Sequence, residues 1–348
     1  MFESNLHIKS DSRIILTFFL LFFIFPFISP AQNTEVVAEK GDGIYRLLTR
    51  NGLSYSDNLE SFIALNKDNL GSENSLIAGK KYILPGSAEI KSAPSAEPAK
   101  STGKMMHFDI FGDKYADVEI TGSELQGAVY YLVSGHGGPD PGAIGKYSGH
   151  TICEDEYAYD VTLRVARKLI EKGATVYMIV RDPNDGIRDD SFLKPDKDEV
   201  CYPSLHMPLN QTKRLRQRTD AVNKLYVQNK KSFQRMIVIH VDSRSQSENI
   251  DVFFYHDKRS ETGEKAAKIL QKTFQQKYNE HQPGRGYNGS VSSRNLYVMK
   301  YSYPATVYIE LANVNHQRDI QRIILADNRQ AVANWLTEGL VTDFKTNK

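Results

Sequence analysis

The sequence is poor in cysteine and has almost no net charge. Cys153 and Cys201 are its only cysteines among 348 residues, which excludes a disulfide-dense scaffold and a four-cysteine zinc ribbon. Lysine and arginine number 44 and aspartate and glutamate 42, a net charge of +2. Because this excess is too small for counterion release to drive binding, we expect no nucleic-acid partner. Any bound metal must be held mainly by histidine, aspartate or glutamate.

The N-terminal region lacks an apolar run long enough to cross a membrane. The segment Ile14–Ile28 carries no charge, but it is short and interrupted by Pro26, whereas a spanning helix needs roughly 20 apolar residues. Lys9 and Arg13 precede it, and Ser29-Pro30-Ala31 follows with the small-x-small pattern of a secretory cleavage site.

This order of features predicts a signal peptide over residues 1–31, with an uncleaved anchor as the alternative. Such a signal peptide would direct export to the periplasm or cell envelope, and its cleavage would leave no stable membrane span. A Cys153–Cys201 disulfide would be chemically permissible there. The sequence leaves open whether the two thiols meet.

Residues 35–85 have two short β-prone ends with two helical stretches between them. The ends are Glu35–Ala38 and Lys81–Leu84, and the apolar spacing predicts helices around Ile44–Leu48 and Leu59–Leu65. The sequence therefore predicts a small βααβ module.

This module resembles the LysM family, whose members bind glycan chains containing N-acetylglucosamine. The matching positions are Gly41-Asp42-Gly43, Asn66, Gly79 and Ile83-Leu84-Pro85. The resemblance implies a LysM-like wall-binding module over residues 35–85, and a small spacer without a ligand is the alternative.

A stretch rich in serine, alanine, proline and lysine follows, over residues 86–104. Such a composition is typical of a flexible linker. A tether of this kind would hold a catalytic domain near an insoluble substrate and raise its effective concentration. Residues 105–127 form a β-prone lead-in to the large domain.

The large domain, residues 128–342, alternates apolar strands with amphipathic helices. The predicted strands are Ala128–Val133, Thr175–Val180, Met236–His240, Val252–Tyr255, Leu296–Met299 and Ala305–Leu311, and the predicted helices include Glu156–Lys172, Glu264–Tyr278 and Asn328–Leu340. This alternation predicts an α/β fold with a mostly parallel sheet and helices on both faces. The polar segment 182–209 is expected to be a surface loop over the sheet edge or the site.

Reactive side chains stand at the ends of the predicted strands, where open α/β sheets bind ligands. His136 follows the first strand, His240 ends the third, Glu310 lies near the end of the last, and Glu154 lies just before a helix. Two histidines and one carboxylate are the ligand set of a catalytic zinc site. We therefore predict that His136, Glu154 and His240 bind Zn²⁺. Glu310, whose pKa burial would raise, is the predicted proton acceptor.

The domain resembles the zinc-dependent N-acetylmuramoyl-L-alanine amidases of the Amidase_3 type. Their glycine-rich segment appears as GHGGPDPGAIG from Gly135 to Gly145, and a gapless match of EDEYAYDVTLRVARKLIEKG puts the ligand glutamate at Glu154, with Glu156 as the alternative. The family's Arg-x-x-x-Ala-Asn corresponds to Arg218–Asn223, with Val222 in the alanine position. Its Pro-Ala-x-x-x-Glu corresponds to Pro304–Glu310, with one residue more before the glutamate.

The resemblance runs from Ala128 to Leu340 and implies a phosphorylase/hydrolase-like amidase fold. It implies the same ligands, His136, Glu154 and His240, with Glu310 as the catalytic glutamate. The long inhibitory helix of some division amidases is missing after Asp242, so an activator-dependent switch is not indicated. No protein regulator is identified, and segment 182–209 is a candidate gate.

The leading hypothesis is an exported hydrolase acting on peptidoglycan, which would contact both glycan strands and stem peptides. It would cut the amide bond between N-acetylmuramic acid and L-alanine. One alternative is a zinc carboxypeptidase, which needs a glutamate three residues after the first histidine, where this chain has Pro139. The other alternative is a wall-binding protein without catalysis.

Overall fold

The computed structural model describes residues 34–39, 42–51, 53, 55–71, 76–85 and 103–348. The chain divides into two compact units, Met1–Ser95 and Ala96–Lys348. The predicted signal peptide and the predicted linker, apart from residues 103 and 104, lie outside the described residues. Among the helices that are described, none is both long and apolar enough to cross a bilayer.

The first unit has the expected order of strand, helix, helix and strand. Its elements are β1 (Glu35–Val37), α1 (Ile44–Arg50), α2 (Tyr55–Asn66) and β2 (Lys81–Ile83). The two strands pair antiparallel. Asn66, at the end of α2, is buried and exchanges hydrogen bonds of 2.7 and 2.8 Å with the backbone of Ile83. Its amide therefore ties the second helix to the second strand.

The second unit contains the remaining strands and helices. The strands are β3 (Lys104–His107), β4 (Asp117–Ile120), β5 (Ala128–Ser134), β6 (Ile144–Tyr147), β7 (His150–Cys153), β8 (Thr175–Met178), β9 (Val180–Arg181), β10 (Val200–Cys201), β11 (Leu205–His206), β12 (Phe233–Asp242), β13 (Phe253–His256), β14 (Val291–Ser293) and β15 (Ala305–Asn313). The helices are α3 (Glu154–Glu171), α4 (Gln211–Gln228), α5 (Glu261–His281), α6 (Tyr297–Tyr301), α7 (Gln317–Ile324) and α8 (Ala326–Asn347).

Six strands form the central sheet in the order β14-β13-β15-β12-β5-β8. β12 pairs parallel with β5 and β15, and β8 pairs parallel with β5. β13 is antiparallel to β15, and β14 is parallel to β13. The sheet is therefore mostly parallel, as predicted.

Side chains of the central strands fill two separate cores because successive residues point to opposite faces. In β5, Tyr130 and Leu132 lie in a core with α3, α5, α7 and α8. Val129, Tyr131 and Val133 lie in the other, with α4 and α6. The predicted α/β architecture with helices on both faces is confirmed.

One predicted strand is wrong. Residues 297–299 belong to the short helix α6, not to a strand, and Val298 and Met299 pack into the second core. A short apolar run has the same composition in a buried helix as in a strand, so its pattern does not separate the two. The sheet edge is formed by Val291–Ser293, whose polar sequence gave no strand signal.

Segment 182–209 is packed against the domain. It contributes β10 and β11, which form a small sheet with β9 in the order β11-β10-β9. The guanidinium groups of Arg164 and Arg329 each donate a hydrogen bond of 2.8 Å to the carbonyl oxygen of Arg188. Buried arginines therefore hold the segment, in addition to the burial of Ile187 and Leu193.

Candidate active site

Three of the predicted site residues lie at the carboxyl edge of adjacent parallel strands. His240 of β12 is directly opposite Glu310 of β15 in the strand register. Ile239 of β12 is opposite Ser134, the last residue of β5, and His136 follows two residues later. The parallel pairing of β5, β12 and β15 thus brings these side chains to one edge.

Glu154, the first residue of α3, completes the set. Its Oε1 lies 2.7 Å from Nδ1 of His240, and its Oε2 lies 3.3 Å from Nε2 of His136. One ligand atom from each of the three side chains lies within 4.8 Å of the others. The carboxylate is held in place by the backbone N–H groups of Ala143 and Val241, at 2.8 and 3.0 Å.

The glycine-rich segment after β5 is shaped by the lack of side chains at two positions. A β-carbon on Gly135 would collide with the His240 ring, and one on Gly142 would lie 2.6 Å from Oε2 of Glu154. Gly142 also has a φ of +69°, which favours glycine. His136 itself has a φ of +59°. Such strained backbone is typical of functional sites.

A second layer of charged groups orients His136. Nδ1 of its ring lies 3.1 Å from Oδ2 of Asp140, and that same oxygen accepts a hydrogen bond of 2.6 Å from Arg214. Arg218 is buried and donates to the backbone carbonyl of His136. Because Asp140 engages Nδ1, the other nitrogen, Nε2, is directed to the Glu154 carboxylate. Metal-ligating histidines have this type of carboxylate support.

The electrostatics of the three groups favour a charged carboxylate. Burial would raise the pKa of Glu154, but its hydrogen bonds to His136 and His240 outweigh this and hold the pKa below its ordinary value. For His136, burial lowers the pKa, whereas Asp140 and Glu154 raise it more strongly, to about 10. Burial lowers the pKa of His240, which favours the neutral imidazole that a metal needs.

Glu310 lies beside this set in a different environment. Its side chain is 6% exposed, and its Oε2 is buried without a hydrogen-bond partner. Burial, followed by the charges of Glu154 and Asp242, raises the pKa of Glu310 well above the ordinary value. A buried carboxyl group with a raised pKa is suited to accept and release a proton near neutrality.

A cavity of about 190 Å³ opens next to the two histidines. Its wall includes the charged side chains of Asp140, Arg214 and Arg218 and apolar side chains such as Leu296 and Val298. The ring of Tyr308 also lines it and stacks on His240, with centroids 4.5 Å apart. The cavity therefore reaches two of the three members of the set, His136 and His240.

The structure distinguishes between the two glutamates that the sequence left open. Glu154 lies between the histidine rings, whereas Glu156 is paired with Arg188 at 2.9 Å.

Cys153 and Cys201 are both buried and free. Burial is the main cause that raises the pKa of each thiol to about 11.

Asp140 and Arg214 have no role predicted from the sequence. Asp140 lies within the glycine-rich segment, four residues after His136, and that spacing within one loop was the available signal. Arg214 is one turn before Arg218 on α4, on the same helical face. The pairing of these two residues with each other depends on the tertiary fold and has no signal in the sequence.

Comparison with known proteins gives one family. The profile of Amidase_3, described as N-acetylmuramoyl-L-alanine amidase, matches residues 131–342. No curated protein matches the chain in sequence.

Several solved structures are similar to this chain. The CwlD amidase of Clostridioides difficile, solved in complex with the GerS lipoprotein, is 16% identical with a TM-score of 0.46, and the match covers 63% of this chain and 99% of that one. The catalytic domain of the amidase CwlV from Bacillus (Paenibacillus) polymyxa var. colistinus is 19% identical with a TM-score of 0.46, covering 64% and 99%. The amidase AmiC2 of Nostoc punctiforme is 15% identical with a TM-score of 0.44, covering 64% and 99%. Since the family profile spans most of the chain, from the first central strand to the last helix, the chain belongs to the Amidase_3 family of N-acetylmuramoyl-L-alanine amidases.

Proposed function

We propose that the protein is a zinc-dependent hydrolase that cuts the amide bond between N-acetylmuramic acid and L-alanine in peptidoglycan. The observation that carries this proposal is the carboxylate of Glu154, held between the imidazoles of His136 and His240. Family membership supports peptidoglycan as the substrate. The zinc and the scissile bond are our inference.

The donor set fits zinc better than other common ions. Two imidazole nitrogens and one carboxylate oxygen suit Zn²⁺ with a fourth position open, whereas Ca²⁺ and Mg²⁺ prefer oxygen ligands throughout. His136 has its carboxylate support from Asp140, and His240 is fixed by its stacking on Tyr308. When bound, zinc would supply Lewis acidity for the scissile carbonyl and would acidify a water molecule.

Glu310 is the group that we propose moves the proton. Its carboxylate would accept a proton from the attacking water and deliver it to the nitrogen of the leaving L-alanine. The raised pKa matters for the delivery of the proton, because a carboxyl group with an ordinary pKa would be a poor acid at neutral pH. The unpartnered Oε2 is available for such an exchange.

The test is digestion of purified sacculi, with the products identified by mass spectrometry and the bound metal measured on the same preparation. We expect new N-termini at L-alanine and about one zinc per chain. New N-termini elsewhere in the stem peptide would indicate a peptidase instead. Binding to sacculi without zinc and without products would indicate a wall-binding protein that lacks catalysis.

We further propose that the first unit is a LysM-like module that binds glycan strands and that the chain is exported to the periplasm or envelope. The βααβ order of residues 35–83 supports the first part, and the family's cell-wall substrate supports the second. Co-sedimentation with sacculi should be stronger for the full chain than for a chain that starts at Gly103. Export with cleavage predicts Gln32 as the first residue of the mature protein.

A further inference from the structure

A second cluster of ionisable groups lies beside the start of α3, and the proposed hydrolysis does not use it. Five carboxylates form two overlapping groups, each with ligand atoms within 4.8 Å of one another. The first group is Asp155, Glu156 and Glu199, and the second is Asp182, Asp196 and Glu199. Glu199 therefore joins carboxylates from α3 to carboxylates from segment 182–209.

Little positive charge balances this cluster. Arg188 lies 2.9 Å from Oε2 of Glu156 and also pairs with Asp185. Within the described part of the chain, no lysine or arginine forms an ion pair with the other four carboxylates of the cluster. The N-terminal end of α3 favours the charges of Asp155 and Glu156, but the remaining three carboxylates come from outside this helix.

One carboxylate oxygen in the cluster has no partner at all. Asp155 is 2% exposed, and its Oδ1 accepts a hydrogen bond of 3.0 Å from the backbone N–H of Glu156. Its Oδ2 is buried without any hydrogen-bond partner. An unpaired buried carboxylate oxygen is costly unless a cation or a donor approaches it. This observation, independent of the number of acidic residues, points to a positively charged ligand.

We propose that these five carboxylates form a second metal site, which binds a calcium ion. Calcium takes six to eight oxygen ligands in flexible geometry, and carboxylates can bind it through one or both oxygens. Magnesium demands near-ideal octahedral geometry and usually takes only one or two carboxylates, while zinc favours nitrogen and sulfur. A cluster of five carboxylates without histidine or cysteine fits calcium best.

The site would connect segment 182–209 to the proposed zinc ligands. Oε2 of Glu199 accepts a hydrogen bond of 2.6 Å from the backbone N–H of Gly138, two residues after His136. Asp155 and Glu156 directly follow Glu154 on α3. A calcium ion would therefore fix both the glycine-rich segment and the first turn of α3, which carry two of the three proposed zinc ligands. Its role is structural and does not depend on which bond the enzyme cuts.

The test uses the full chain and calcium alone. Purified protein is freed of loosely bound ions by gel filtration. Bound calcium is then measured by equilibrium dialysis and elemental analysis, and the unfolding temperature is recorded with and without calcium. We expect about one calcium per chain, with a dissociation constant no weaker than about 10⁻³ M, and a higher unfolding temperature when calcium is present.

Variants separate this site from the proposed zinc site. Asp196→Asn, in the partly exposed segment, should weaken calcium binding about tenfold or more, since affinity depends on the ligand charge. Asp220→Asn is the matched control, because Asp220 is 67% exposed on α4, and it should bind calcium like the parent. His240→Ala should also retain calcium while losing zinc.

Three results would overturn the proposal. The first is a parent protein that neither binds calcium nor is stabilised by it. The second is unchanged calcium affinity in both Asp196→Asn and Glu199→Gln, where the second substitution preserves the oxygen that accepts from Gly138. The third is a response to magnesium or zinc, but not to calcium, that the cluster variants abolish. Loss of amidase activity alone would not bear on the proposed calcium site, so failure of the proposed function would be recognised separately.

Discussion

Glu154 and Asp155 are neighbours in the sequence and both are buried, yet their carboxyl groups have opposite electrostatic surroundings. Hydrogen bonds to two histidines lower the pKa of Glu154 despite its burial. Burial and the charges of Glu156 and Glu199 raise the pKa of Asp155 to about 8. The first carboxylate has neighbours that balance its charge, and the second has neighbours that repel it.

The difference between Glu154 and Asp155 shows that burial alone does not decide whether a carboxyl group is charged. Burial always disfavours the charged form, so the partners decide whether the charge is kept. An imidazole–carboxylate set keeps the charge of its carboxylate, the form in which this group can bind a zinc ion. A carboxylate-only cluster is stable without a cation only if some of its members are protonated, and Glu199, with a pKa raised by burial to about 7, is one such group.

The largest effect is expected when the His136–Glu154–His240 set loses an imidazole. His240→Ala removes a proposed zinc ligand and one of the two partners that keep Glu154 charged. We expect loss of bound zinc and a decrease in activity of at least about 10⁴-fold, because the Lewis acid is lost with it. Zinc content and sacculus hydrolysis are measured together. His206→Ala, which changes an exposed histidine, is the control. Full activity in His240→Ala would refute the assignment of His240 as a zinc ligand.

A smaller effect is expected from Glu310, which resembles Asp155 in having a raised pKa but lies next to the imidazole set. Glu310→Gln preserves the shape of the side chain and removes its basicity. We expect kcat to fall by about 10³-fold with zinc content unchanged.

The pH dependence provides the second readout for Glu310. Because a proton acceptor must be ionised, activity of the parent should fall as the pH decreases through the raised pKa of this carboxyl group. The residual activity of Glu310→Gln should lack that acidic limb. A variant that hydrolyses sacculi as fast as the parent would show that another group takes the proton.

A still smaller effect is expected from the support of His136. Asp140→Asn keeps the shape of the side chain but removes the charge that lies 3.1 Å from Nδ1 of His136 and 2.6 Å from Arg214. Carboxylates in this position typically contribute 10–100-fold to metal affinity. We expect a decrease of about that size, measured by competition with a zinc chelator, and no decrease in Asp220→Asn. Equal affinity in both variants would show that Asp140 does not support a ligand.

The sequence predicted the central sheet and the convergence of the site, for a physical reason. Strands such as Ala128–Ser134 and Ala305–Asn313 are buried on both faces, so they appear as continuous apolar runs, and parallel pairing places their carboxyl ends at one edge. His136, His240 and Glu310 could be located by that rule. Glu154 was a candidate from its place just before a helix, and the resemblance to a family favoured it over Glu156, since nothing in the helix pattern separates the two.

The features that the sequence did not predict depend on contacts between distant segments. Helix α6 was predicted as a strand because its few apolar residues carry no periodic signal. The acidic cluster had no signal either, since Asp155 and Glu199 are far apart in the chain and meet only when segment 182–209 packs beside α3. Polar segments of this kind have no hydrophobic pattern from which their position could be derived.

The smallest effect is expected in the stability of the folded protein, which depends on the charge of the carboxylate-only cluster. Burial raises the pKa of Glu199 from 4.5 to about 7 in the folded protein. The folded state therefore binds more protons than the unfolded state between these values, and stability is lost as the pH rises through about 7. Glu199→Gln cannot ionise, so without calcium the variant should be more stable than the parent at pH ~8 by about 1–3 kcal/mol, with little difference at pH ~4. Chemical unfolding in the presence of a chelator measures both values, with Asp220→Asn as the control.

Added calcium should reverse the order of stability at the higher pH by stabilising only the parent. An advantage of Glu199→Gln that persists in calcium would show that the carboxylate has no cation to bind.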